Sequence, residues 1–209
     1  MGARSVVDHT KPHHQPLSHA KTVNFVIQGN VGGKHSKRRD LAGTVQCLTA
    51  LILREDANKT TRSLRADSTM VHLDLVGAVH GKLNIPQLLP QLHVQTQSNL
   101  APIDFYSAIA RAHFLVASLG SALYATTQAT SSIPAALITG VPLVLGADLL
   151  ALYPCLRDAP MHRLVNSGTE CEAIQRAYEI SETQYAAARA EVAHCARQLW
   201  EEGLAALQG

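Results

Sequence analysis

Short apolar segments alternate with segments of helical periodicity along most of this 209-residue chain. Parallel strands need a long crossover between them, which is usually a helix, so this alternation constrains the fold more than any other feature. It predicts an α/β fold with a parallel sheet of five or six strands and helices on both faces. The segments that predict strands are VNFVIQ, MVHLDLVG, LHVQT, HFLVAS and VPLVLG, with HRLVNS as the sixth candidate.

The first 21 residues differ from the rest of the chain. They are polar, carry four histidines and two prolines, and show no periodicity, so residues 1–21 are predicted to be a flexible His/Pro-containing extension. Specific metal binding by these histidines is not favoured, because such ends rarely hold a fixed geometry. Residues 22–209 are predicted to form one Rossmann-like domain.

Composition excludes several classes of protein. Hydrophobic residues make up 46% and charged residues 16%, which is typical of a globular domain. A net charge of +2 and an aromatic content of 4% give no nucleic-acid footprint. No apolar run predicts a membrane span or a secretory signal, so a soluble chain of unspecified location is expected. The four scattered cysteines predict neither a zinc site nor a disulfide framework, and are expected to pack as small apolar residues.

The stretch VNFVIQGNVGGKHSKRRDL leads from a predicted strand through three glycines into cations. It lacks the spacing of a P-loop and of the G-x-G-x-x-G dinucleotide fingerprint. Backbone N–H groups at Gly29 and Asn30, close to a helix start, nevertheless suit an anion. The alternative is an ordinary strand-to-helix turn with a solvated basic start. The cations available to an anion here are Lys34, Lys37, Arg38 and Arg39.

A second predicted loop, after the fourth strand, ends in ATSSIPAAL. Thr130, Ser131 or Ser132 can cap the helix that follows, with Pro134 in its first turn. The other N–H groups and the positive end of that helix then face the edge of the sheet on which the glycine loop lies. The two loops therefore predict one anion site at the carboxyl ends of the strands.

The segments DFY, AHFLV and ATSSIPAALITGVPLV, in that order, resemble the carboxy-terminal, nucleotide-sugar-binding domain of GT-B glycosyltransferases. The opening FVIQGN with KRRDL is similar to the start of the same domain. The resemblance implies a Rossmann-like fold and hexosyl transfer from a nucleotide sugar, such as a UDP-sugar, to an acceptor. It implies no cofactor and no metal, and the sequence contains no DxD motif.

The resemblance also implies roles for individual residues. Thr130, Ser131 and Ser132 become the helix start that faces the diphosphate. Gly29 and Asn30 form the first loop, and Lys34, Lys37, Arg38 or Arg39 are charge partners of the diphosphate. The base and ribose are expected around residues 95–99. The chain departs from the family in two ways, because no acidic residue near 128–130 matches a ribose-binding glutamate and no amino-terminal acceptor domain fits in its length.

Because no acceptor domain is expected in this length, two hypotheses about the function follow. The chain is either the donor-binding half of a transferase, active only with a second α/β domain or subunit that carries the acceptor site, or a non-catalytic Rossmann-like interaction domain in a larger assembly. A nucleotide-dependent enzyme of other chemistry has no supporting motif. In the last predicted helix, Tyr185, Ala193, Leu199 and Trp200 form either an ordinary amphipathic face or an apolar stripe that needs another surface.

Five polar residues have structural interpretations. His113 is expected to be a polar residue entering the fourth strand, although it could also donate to a phosphate. Asp104 and Asp148 are expected to cap helices, and Thr169 with Glu172 predicts a capping box.

Overall fold

A computed structural model describes residues 22–32, 39–60, 70–83, 85, 88–119 and 130–208. The described residues form one parallel sheet of five strands in the order β3-β2-β1-β4-β5, flanked by helices. The expected α/β, Rossmann-like class is confirmed, with five strands. The strands are β1 (Thr22–Gln28), β2 (Met70–Val76), β3 (Leu92–Gln97), β4 (Phe114–Val116) and β5 (Leu143–Val144).

Eight helices lie in the described part of the chain. They are α1 (Leu41–Thr60), α2 (Pro102–Ala110), α3 (Ser132–Thr139), α4 (Ala147–Leu150), α5 (Pro154–Arg157), α6 (Pro160–Val165), α7 (Glu170–Glu179) and α8 (Glu182–Gln208).

Alternation along each strand divides the apolar side chains between the two faces of the sheet. On one face, Phe25 of β1 stacks on Phe114 of β4 with ring centroids 5.6 Å apart, and this cluster extends to α1 and α7. On the other face, Val26 and Leu115 belong to a second cluster that includes α2 and α3. A sheet covered in this way has central strands without polar faces, which is why β4 is apolar throughout. The short edge strand β5 is buried as well.

Several predicted boundaries are confirmed and others are wrong. The capping box of Thr169 and Glu172 is present at the start of α7, and Gly140 ends α3 with a φ of 67°. The helix predicted over Ser36–Arg54 instead occupies Leu41–Thr60, and its first predicted positions lie outside the described residues. The sixth strand predicted at HRLVNS is wrong, because α6 spans most of it and Pro160 begins that helix.

The two predicted aspartate caps are also wrong. Asp104 lies in the first turn of α2, after the N-cap residue Ala101. Asp148 lies in the first turn of α4, after the N-cap residue Gly146. Both carboxylates still lie at the positive end of a helix, where a negative charge is favoured without a capping hydrogen bond.

The cysteines are not unpaired packing residues as expected. Cys47 of α1 is joined to Cys171 of α7, and Cys155 of α5 is joined to Cys195 of α8. The paired residues lie 124 and 40 positions apart in the sequence, so only the tertiary fold brings them together. None of the described helices is both long and apolar enough to cross a bilayer.

Candidate functional site

The direction of strand addition reverses at β1. From this strand the sheet grows through β2 and β3 to one side and through β4 and β5 to the other. The helices that follow β1 and β4 therefore pack on opposite faces, α1 in the cluster of Phe25 and α3 in the cluster of Val26. A reversal of this kind is where such sheets bind ligands. We call the residues at the carboxyl ends of these two strands, together with the starts of α1 and α3, the β1–β4 rim.

Gly29 begins the loop after β1 in a conformation that favours glycine. Its φ is 114°, and a Cβ built on it would lie 3.0 Å from a terminal guanidinium nitrogen of Arg39. The glycine is thus explained by the close approach of Arg39, and not only by the turn. Asn30 follows with an exposed side chain. The predicted cations Lys34, Lys37 and Arg38 lie outside the described residues.

Arg39 is buried, with 6% of its surface exposed. Its guanidinium donates to the carbonyl oxygen of Ala117, directly after β4, and to Ser132 Oγ at 3.4 Å. A buried cation needs such partners to offset its lost hydration. Arg39 therefore joins the loop before α1 to both β4 and α3, and part of the hydrogen-bonding capacity expected for a diphosphate is used by the protein itself.

The start of α3 lies at the same rim. Gln28, the last residue of β1, donates from Nε2 to Ser131 Oγ at 2.7 Å and to Ser132 Oγ at 3.4 Å. Thr130 Oγ1 accepts from the N–H of Ser132 at 3.2 Å. Thr130, Ser132 and Gln28 are buried, whereas Ser131 is exposed. Of the three predicted residues of the helix start, Ser131 is the one that an external ligand can reach in this conformation.

Sequence reasoning missed the end of β4. Ser118 has a φ of 47° and is fully buried, and its hydroxyl accepts from Thr44 Oγ1 at 3.0 Å. Its carbonyl accepts from the N–H of Asp40 at 2.9 Å, while Asp40 Oδ1 caps α1 by accepting from Gly43 N at 2.9 Å. An aspartate just before a periodic apolar segment was a usable capping signal. Its carboxylate takes the position that an anion would occupy at the start of α1.

Glu170, the first residue of α7, is a second group that sequence reasoning missed. Burial raises the pKa of its carboxyl to about 7. Hydrogen bonds from the backbone N–H groups of Ser118 and Leu119 lower this pKa, but their effect is smaller than that of burial. The charge of Asp40 raises this pKa further and that of Arg39 lowers it. The capping box located the start of α7, but no local pattern showed that this start meets the end of β4.

A small recess opens at the rim. It has a volume of about 130 Å³, and its lining includes Gly32, Arg39, Asp40 and Leu83. Ligand pockets for whole small molecules usually measure about 300–1,000 Å³, so this recess is too small for a complete nucleotide. Its lining does not include Gly29 or Ser131. The expected base and ribose region lies at the end of β3, where Gln95 Nε2 donates to Asp74 Oδ1 at 2.6 Å and Asn99 has a φ of 56°.

A larger cavity lies elsewhere, between α5, α6 and α8. This α5–α8 groove has a volume of about 520 Å³, and its lining includes Cys155, Asp158, Glu191 and His194. Glu191 accepts from the backbone N–H of Met161 at 2.8 Å, and from His162 through the backbone N–H at 3.0 Å and Nδ1 at 2.9 Å. This carboxylate is committed to the start of α6, so we assign the candidate site to the rim despite its smaller volume.

His113 lies away from the rim. It precedes β4, at the opposite edge of the sheet, and its Nδ1 accepts from the backbone N–H of Asn24 at 2.9 Å. The structural interpretation of this histidine is confirmed. No group of three or more potential metal ligands occurs among the described residues.

Comparison with models of known protein families and with the curated proteins finds no match to this chain.

Proposed function

We propose that this chain is the nucleotide-sugar-binding half of a glycosyltransferase, with the donor diphosphate at the β1–β4 rim. The observation that carries the proposal is the 2.7 Å hydrogen bond between Gln28 Nε2 and Ser131 Oγ. It joins the end of β1 to the start of α3, two segments 103 residues apart that supply the glycine loop and the hydroxyl-bearing helix start. Their meeting at a strand-order reversal supports an anion site.

The side chains of Gln28 and Arg39 already bond to the start of α3 across this rim, and this shapes the proposed binding mode. The exposed Ser131 hydroxyl and the backbone N–H groups around Gly29 and Asn30 make the first contacts with the diphosphate. The Gln28 amide then exchanges its bond to Ser131 for one to a phosphate oxygen, which is a stronger, charge-assisted interaction. Arg39, which is buried beneath these groups, contributes its positive charge without contacting the diphosphate first.

The proposed activity needs a partner. A nucleotide sugar such as a UDP-sugar is the donor substrate, and a second α/β domain or subunit supplies the acceptor site and the catalytic base. This half binds the donor and stabilises the charge that develops on the leaving diphosphate through Ser131, the start of α3 and Arg39. No metal or other cofactor is proposed.

Titration of the protein, with its disulfides intact, tests this proposal. We expect UDP or GDP and their sugar conjugates to raise the melting temperature, because a ligand that binds only the folded form stabilises it. Ser131→Ala removes one hydrogen bond to a charged group and is expected to weaken binding about tenfold. Ser181→Ala is the matched control, since Ser181 is an exposed serine whose hydroxyl accepts from Gln184 N at 3.3 Å. It lies four residues before Tyr185, which packs against His113 at the opposite edge of the sheet.

Two outcomes would contradict the proposal. An unchanged melting temperature with every nucleotide at millimolar concentration would remove nucleotide binding altogether. Equal loss of affinity in Ser131→Ala and Ser181→Ala would mean that nucleotides bind at another place.

A second function is favoured by a separate observation. Large apolar side chains are exposed near the end of α8, among them Trp200 with 68% and Leu207 with 85% of the surface exposed. Such a surface supports the hypothesis that the chain is a Rossmann-like interaction domain of a larger assembly. This function predicts no nucleotide affinity and a stable complex in which Trp200 is covered.

A further inference from the structure

Two histidines lie side by side on the sheet, at its β3 edge. His72 of β2 pairs in register with His93 of β3, and their ring centroids are 5.2 Å apart. His93 is exposed and His72 is half-buried, so solvent reaches the pair. Neither imidazole has a hydrogen bond or an ion pair among the described residues. The lone pairs of both rings are therefore available to a ligand from solution.

A third polar residue continues this row across the sheet. Asn24 of β1 is the register neighbour of His72 on the side away from His93, so the three side chains project from the same face. The side-chain oxygen of Asn24 is buried and accepts no hydrogen bond from any described residue. A metal-bound histidine usually donates its second ring N–H to an oxygen of this kind. The row thus supplies two ligand groups and an acceptor for one of them.

The separation of the two rings matches one shared tetrahedral ion. Zinc binds an imidazole nitrogen at about 2.0–2.1 Å, which places the ion about 3.2 Å from each ring centre. Two such ring centres are then about 5.2 Å apart at the tetrahedral angle, and about 4.5 Å apart at a right angle. The observed 5.2 Å therefore favours Zn²⁺ over Cu²⁺, which prefers tetragonal coordination.

The charges near the pair suit a cation. Asp74 follows His72 by two residues on the same face of β2, and its Oδ1 accepts from Gln95 Nε2. Helix α2, which packs on this face, carries Asp104 and neither lysine nor arginine. The two carboxylates attract a divalent cation to this surface without binding it directly.

We propose that His72 and His93 bind one zinc ion on this face of the sheet, with water in the remaining two positions of the tetrahedron. The ion joins the edge strand β3 to β2. Asn24 accepts the second ring N–H of His72 and holds that ring in position. Two protein ligands make this a weaker site than zinc centres with three or four, and the two water positions leave the ion open to an oxygen ligand from outside. The site does not depend on the proposed nucleotide-sugar binding.

Thermal unfolding of the full chain, with and without zinc chloride, tests the proposal. The chain has 11 histidines, so zinc binding alone would not locate the site. The melting temperature does, because an ion that the unfolded chain binds equally well gives no stabilisation. We expect zinc at ten times its dissociation constant to raise the melting temperature by about 3 to 6 °C.

Single variants locate the ion. His93→Gln removes one ligand at an exposed position, so the variant is expected to fold. Binding that is tenfold weaker lowers the rise to about 1 °C at the same zinc concentration, and His72→Gln is expected to have the same effect. His194→Gln is the matched control, because His194 is an exposed histidine of α8 in the α5–α8 groove, and it is expected to keep the full rise. Magnesium chloride is expected to cause no rise, since Mg²⁺ prefers oxygen ligands.

A melting temperature that zinc leaves unchanged up to millimolar concentration would overturn the proposal. So would a rise that persists in His72→Gln and His93→Gln, because zinc would then bind elsewhere. An equal rise with magnesium would assign the effect to carboxylates and not to imidazole, and would also overturn it.

Discussion

The β1–β4 rim and the α5–α8 groove differ in the relation between volume and chemistry. The groove is the larger cavity, at about 520 Å³ against about 130 Å³ for the recess at the rim. Its best-placed acid, Glu191, is nevertheless satisfied by the start of α6. The rim is small, but it combines a buried cation, a helix start and an exposed hydroxyl at the strand-order reversal. Volume alone therefore does not decide between the two regions, and the origin of the polar groups favours the rim as the candidate site.

The largest expected effect comes from removing the disulfides, one of which lies near each region. Cys47–Cys171 joins the two helices whose first turns lie near the rim, and Cys155–Cys195 lies beside the groove. Chain-entropy arguments predict that replacing either pair by serine lowers the free energy of unfolding by about 4 to 5 kcal/mol, slightly more for the longer loop. Urea denaturation measures this loss. We expect the rise in melting temperature that nucleotide causes to become smaller only in the Cys47→Ser/Cys171→Ser variant. An equal decrease in the Cys155→Ser/Cys195→Ser variant would contradict the assignment of nucleotide binding to the rim.

The second prediction concerns Arg39. Arg39→Met keeps most of the apolar volume but leaves Ala117 O and Ser132 Oγ without this donor, which is expected to cost about 2 to 3 kcal/mol. Nucleotide binding should be lost as well, while the groove remains intact. Urea denaturation and ligand titration of the same preparation measure both effects. Full stability in this variant would show that the buried network at the rim contributes little.

The third prediction concerns Glu191 in the groove. Glu191→Ala removes the acceptor at the start of α6 and is expected to cost about 1 to 2 kcal/mol, with no change in nucleotide affinity. Burial raises the pKa of Glu191, but hydrogen bonds from His162 and Met161 outweigh it and hold the pKa below the ordinary value. The stabilisation is therefore present above the ordinary pKa and is lost as the pH falls through the lowered pKa. A change in nucleotide affinity in this variant would contradict the assignment of the site to the rim.

The smallest expected effect is the pH dependence at the rim. Because the pKa of Glu170 is raised from 4.5 to about 7, the unfolded chain ionises this carboxyl more readily than the folded protein does. Its contribution to stability is complete below the ordinary pKa and is lost as the pH rises through about 7. As the pH rises, we expect Glu170→Gln to lose about 1 kcal/mol less of its free energy of unfolding than the unmodified protein loses. The effect is this small because residue 170 is partly exposed and solvent screens its charge.

The same carboxylate predicts a pH dependence of binding. Above pH 7 its negative charge opposes an anion at the rim, so a nucleotide sugar should bind more weakly at pH 8 than at pH 6. Calorimetric titration at both values checks this. Glu170→Gln should show no such difference, and a difference that persists in the variant would place the responsible group elsewhere.

The features that the sequence predicted are those encoded by neighbouring residues. Period-2 and period-3.6 patterns located all five strands and most helices, and Thr169 with Glu172 marked the start of α7. HRLVNS was misassigned because six residues cannot separate a buried strand from a short helix by periodicity alone. Its preceding proline was the better signal.

Contacts between distant segments could not be predicted in this way. The sequence indicated that Thr130, Ser131 and Ser132 start a helix at the edge of the sheet, but not that Gln28 would bond to Ser131 or that Arg39 would turn inward to Ala117. The two disulfides were missed for the same reason. Each pairing depends on the strand order, which local patterns do not determine.

The Cys47–Cys171 bond has a consequence for proteolysis. Backbone cleavage at one point between these two cysteines would leave both fragments covalently attached, across a segment that contains β2, β3, β4 and β5. A nicked molecule would therefore migrate as a single species in non-reducing electrophoresis until a thiol reductant separates its parts, and before reduction its mass would differ from that of the uncut chain only by the water that hydrolysis adds.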